Sequence, residues 1–95
     1  MTFALEARLE SLPDKPLDAA PAAGELLRFW EANEWIVGLS AGDAITDRIT
    51  EQAVLLLTCA EAGDEYGYRS ARALFRDAVE DMRGLEALSS ILQGS

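Results

Sequence analysis

Asp43–Ala62, DAITDRITEQAVLLLTCAEA, is the stretch whose reading decides the fold. Ile45, Ile49, Ala53, Leu56 and Ala60 recur at steps of three and four, the spacing that lines one face of an α-helix. Gln52 and Cys59 share the stripe with Ala53 and Ala60, and Val54, Leu55 and Leu57 fill its flanks. From Ala53 to Ala60 only Thr58 is polar, so the second half is expected to be buried on most sides. Ser40 and Asp43 can cap the start, because a short side-chain oxygen accepts a free N–H of the first turn. Gly63 supplies the stop, since glycine accepts the left-handed conformation that ends many helices. The stretch is too short, and too charged at its start, to span a bilayer.

Two further helices flank it. After Gly63, Ala71, Leu74, Phe75, Ala78, Val79, Met82, Leu85, Leu88 and Leu92 keep helical spacing, which predicts a helix over 65–92. Gly84 marks a weak point or bend in it, and Arg76 and Glu80 form an i,i+4 pair. Upstream, Leu26, Leu27, Trp30 and Val37 form a stripe that predicts a helix over 21–38, with Pro21 in its first turn. Asn33 is a point where it can break, Gly38 can end it, and 38–42 reads as a loop. Phe3, Leu5, Leu9 and Leu12 predict a short first helix within 1–12, capped by Thr2. Pro13, Pro16 and Pro21 disfavour helix at the residue before each, so 13–20 reads as a linker. That linker could let the first helix dock on a neighbouring subunit. The expected architecture is all-α: one domain over 1–95, a small bundle of three to four helices with a proline-containing linker after the short first one.

The 95 residues carry 17 acidic and 8 basic side chains and no histidine, a net charge of −9. Residues 1–65 hold 13 acids and 4 bases, whereas 66–95 hold 4 of each, so the whole excess lies in the first two-thirds. Direct binding to nucleic acid or to an anionic membrane is disfavoured, because phosphate contacts need a cationic surface. Acidity is first of all a solubility device. The lone Cys59, with no signal peptide in view, points to a reducing cytoplasm.

Without histidine there is no Ser–His or Cys–His pair and no imidazole ligand for zinc. Cys59 sits in the most apolar run, where burial raises a thiol pKa and makes it inert. The carboxylate pairs Glu31/Glu34, Asp43/Asp47, Asp47/Glu51 and Asp77/Asp81 lack the spacing of a calcium loop and read as a solvated face. Gly38 and Gly42 lack the strand and lysine of a phosphate loop. No catalytic role, metal or cofactor is expected.

What remains is a surface. Glu31, Glu34, Asp43 and Asp47 could face a partner with a basic surface. Trp35 lies off the core stripe, and Tyr66 and Tyr68 flank Gly67 at a helix start; aromatic anchors of this kind enrich binding hot spots. Arg69, Arg72 and Arg76, at i, i+3 and i+7, share a face; they pair either with acids of the same subunit or with an acidic partner. The expected function is a small protein-binding module, a regulator or inhibitor. In a sharper form it is a phage-type inhibitor of a host defence complex that imitates nucleic acid with carboxylates. The alternative is a self-assembling helical subunit, a homodimer through the last helix; a carboxylate metal binder comes third.

Overall fold

The computed structural model describes the backbone of residues 1–94 and the side chains of 1–39, 41–85, 87 and 88. Four helices follow one another: α1 (Thr2–Glu10), α2 (Pro16–Ala41), α3 (Asp43–Ala62) and α4 (Glu65–Gly94). They make a rod of 48 × 19 × 18 Å, its long axis close to the ~45 Å length of a 30-residue helix.

Side-chain pairs fix the directions. Trp30 on α2 meets Thr50 on α3, and Leu17 lies beside Gly63, so α2 and α3 are antiparallel. Arg48 on α3 pairs with Asp81 on α4. Glu6 and Glu10 on α1 pair with Arg83 and Arg76 on α4, again antiparallel. The result is an up-down-up-down bundle. α1 touches α2 and α4 but not α3, so it lies across the groove on the side away from α3.

The core follows the expected stripe of α3: Ile49, Ala53, Leu56, Cys59 and Ala60 are buried, with Thr46. Val54 and Leu55, however, are nearly half exposed. Their face of α3 is bare because α1 packs on the far side of the bundle, which corrects the expectation of burial on most sides. α3 ends at Gly63, whose φ of 69° and ψ of 23° are left-handed. Among the described side chains none caps its start: Gly42 is the N-cap and Asp43 the first helical residue, while the side chain of Ser40, the other expected cap, lies outside those described.

The prolines do not make a linker over 13–20. α2 begins at Pro16, five residues before the expected start, with Lys15 extended ahead of it. Proline at the first helical position loses nothing, because that N–H has no helical partner. Pro21 lies inside the helix and removes one backbone donor. Burial offsets that cost: Pro16, Ala19, Ala23, Leu26 and Trp30 are all buried and keep steps of three and four. α2 also runs through Asn33 and Gly38 to Ala41. The Asn33 amide donates to the Phe29 carbonyl at 2.8 Å without breaking the helix. The expected 38–42 loop shrinks to Gly42 alone, held at φ 87°.

α1 is shorter than expected, and Thr2 is buried inside it while Met1 occupies the cap position. Leu5, Leu9 and Leu12 fill the core, but Phe3 points out. Arg8 stacks over Phe29, 4.2 Å from the ring centroid. In α4, Ala71, Phe75, Ala78, Val79 and Met82 are buried, whereas Leu74, Leu85 and Leu88 are 40–52% exposed. Leu85 and Leu88 lie level with the starts of α1 and α3, where neighbouring helices run out. Leu92 lies outside the described side chains. α4 continues through Gly84.

Candidate interaction surface

The arginine ridge of α4 is occupied from within. Arg76 reaches Glu10 at 3.2 Å, Arg72 reaches Asp14 at 3.4 Å, and Arg69 lies 3.9 Å from Glu65. Arg83 pairs with Glu6. Arg76 therefore pairs with α1 and not with Glu80 as expected. Arg72 also donates to the Leu12 carbonyl at 3.0 Å, so it ties down the turn after α1. Exposed pairs of this kind contribute only about 0–1 kcal/mol each; their main effect here is to use up cations.

Tyr68 is no surface anchor. It is fully buried, and its hydroxyl donates to the Pro13 carbonyl at 2.6 Å. Burial pushes its pKa up, Arg72 pulls it down, and Asp14 pushes it up again. Tyr66 is 84% exposed toward the opposite end of the rod from Trp35, roughly 20–25 Å away along α3 at 1.5 Å per residue. The two aromatics thus do not form one site.

Cys59 is buried beside the start of α4, and burial, reinforced by Asp64, raises its pKa. The neutral thiol favours folding; that contribution is complete below the thiol's unfolded pKa and is lost as pH rises through the raised folded value. Among the described residues, no group of three or more His, Cys, Asp or Glu could hold a metal ion. None of their helices is long and apolar enough to cross a membrane.

The structure does bring together Glu34, Trp35, Asp43 and Asp47. They line a shallow groove of about 460 Å³ where α2 ends and α3 begins, with Gly38, Leu39 and Thr46. Trp35 is 65% and Leu39 80% exposed. Glu34 is anchored to the core: Trp30 donates to Thr50 at 2.8 Å, and the single Thr50 proton has the Thr46 carbonyl at 2.9 Å and the Glu34 carboxylate at 3.2 Å in reach. Asp43 and Asp47 are exposed, and neither is in an ion pair among the described residues. Glu31 is exposed one turn before Trp35 and lies outside the groove. Sequence reasoning missed Leu39 and Gly38 because it placed them in a loop; the step of four from Trp35 to Leu39 was the available signal.

This chain matches no family model, no curated protein and no solved structure.

Proposed function

We propose that this protein is a small helical module that binds another protein, as a regulator or inhibitor, through the acidic face of α2 and α3. The observation that carries this reading is the groove itself: exposed Trp35 and Leu39 framed by Asp43 and Asp47, which are in no ion pair among the described residues. Five of the seven arginines are paired to acids elsewhere, on α3 and α4. The negative field over the groove is therefore uncompensated and would steer a basic surface toward it. Apolar anchors among the acids favour a partner with an apolar element of its own over a plain phosphate-binding groove. The nucleic-acid-mimicking form of the inhibitor is therefore the weaker version of this reading.

The test is capture from the native host with wild-type protein and with a Glu31→Lys, Asp43→Lys, Asp47→Lys variant, both checked for helicity. The variant should lose the proteins that the wild type retains. Equal retention sinks the reading.

A second reading is favoured by Leu74, Leu85 and Leu88, exposed along α4 at heptad-compatible steps of eleven and three. It is self-association through that helix, in the neutral third of the chain. Sedimentation as a monomer at micromolar concentration would count against it.

A further inference from the structure

We infer that the notch over Gly38 seats an apolar side chain of a basic amphipathic helix presented by the partner; this rests on the reading of the acidic face given above. Gly38 lies on α2 on the α3 side of Trp35, one turn before it, and of Leu39, the next residue. Those two large side chains stand out into solvent, and glycine leaves the floor between that pair and α3 open. Apart from its chain neighbours, a Cβ built there has only the Thr46 Cγ2 within 4 Å, at 3.8 Å, an ordinary contact. The far wall is α3, with Asp43, Thr46 and Asp47.

Two helices in contact form a groove that accepts a third, at interaxial distances of about 8–10 Å. The described residues contain no strand, so there is no sheet edge to which an extended peptide could add. Asp43 and Asp47 are one turn apart, about 6 Å along the axis at 1.5 Å per residue. Lysines four residues apart on a partner helix have the same spacing and can meet both. The poles of α2 and α3 at this end have opposite sign and largely offset each other. The carboxylates, with Glu34 behind them, set the charge that the occupant must answer.

The probe is a lysine–leucine peptide of about 14 residues, four turns, with its leucines on one face. A peptide of the same composition with leucines scattered round the helix is the control. Trp35 is the exposed tryptophan, so its emission reports binding. Wild type should bind the amphipathic peptide at least about tenfold tighter than the control, a difference of about 1.4 kcal/mol. Gly38→Leu fills the notch without touching a charge and improves helix propensity; an unchanged far-UV circular dichroism spectrum shows that the variant is folded before its binding is read. It should abolish that tenfold preference and leave binding of the control unchanged. Equal binding of both peptides by wild type, or an undiminished preference in Gly38→Leu, overturns the inference. In either case Asp43→Lys with Asp47→Lys still decides the acidic face separately: weaker binding of both peptides keeps it, and unchanged binding of both removes it together with the inference.

Discussion

Replacing Trp30 with alanine should bring the protein to the edge of unfolding. The indole is fully buried and is the largest side chain in the core. It sits on α2, and its N–H donates across to Thr50 on α3, so it joins the two helices by packing and by a hydrogen bond. Removing a buried tryptophan to alanine costs about 3–5 kcal/mol in cavity and lost contacts. A domain of this size has only about 5–14 kcal/mol of stability in all. Urea unfolding followed by far-UV circular dichroism should therefore show a midpoint lowered by at least about a fifth, or no folded baseline. Trp35→Ala is the internal comparison: that side chain is mostly solvated, and its loss should move stability by no more than about 0.5 kcal/mol. A chain in which the two substitutions cost the same would not have the core described above.

The same two tryptophans show how much of the molecule was legible in the sequence. Trp30 belongs to a run at steps of three and four, and Trp35 does not; burial and exposure follow. The central helix was legible because its period is clear and Gly63 ends it. The start of α2 was obscured by its prolines. Local chemistry disfavours helix before a proline, but Pro16, Ala19 and Ala23 continue the stripe of Leu26 and Trp30, and tertiary burial outweighed the local preference. Tyr66 and Tyr68, two residues apart, must point to different sides of α4. Tyr68 is the one that continues Ala71 and Phe75 inward, which the spacing already implied. The partners of the arginines were not legible: Arg72, Arg76 and Arg83 reach acids 58 to 77 residues away. The groove was half legible. Its carboxylates and Trp35 stand out by residue type, but Leu39 and Gly38 joined them only once α2 was seen to continue to Ala41.

Gly67→Ala should destabilise the fold, against the rule that alanine is the better helix former. Gly67 is the third residue of α4, and its N–H donates to Asp64 Oδ1 at 2.9 Å, closing the cap of that helix. A Cβ at this position would run into the Asp64 carboxylate and stand 2.8 Å from the Cys59 Sγ, closer than real Cβ atoms approach. The helix preference for alanine is worth about 1 kcal/mol. Overpacking typically costs about 1–3 kcal/mol, and displacing the capping carboxylate costs roughly another 0.5–2 kcal/mol. The clash wins, for a net loss of about 0.5–4 kcal/mol on those same figures. Gly84, farther along the same helix, has nothing within 4 Å of the same added atom. There propensity acts alone, and Gly84→Ala should gain about 0.5–1 kcal/mol. Asp64→Ala removes one of the two clashing groups together with the cap, so the added cost of Gly67→Ala in that background should shrink. Urea midpoints for the four variants decide the matter: if Gly67→Ala stabilises as much as Gly84→Ala, the junction of α3 and α4 is not packed around Cys59 and Asp64 as described.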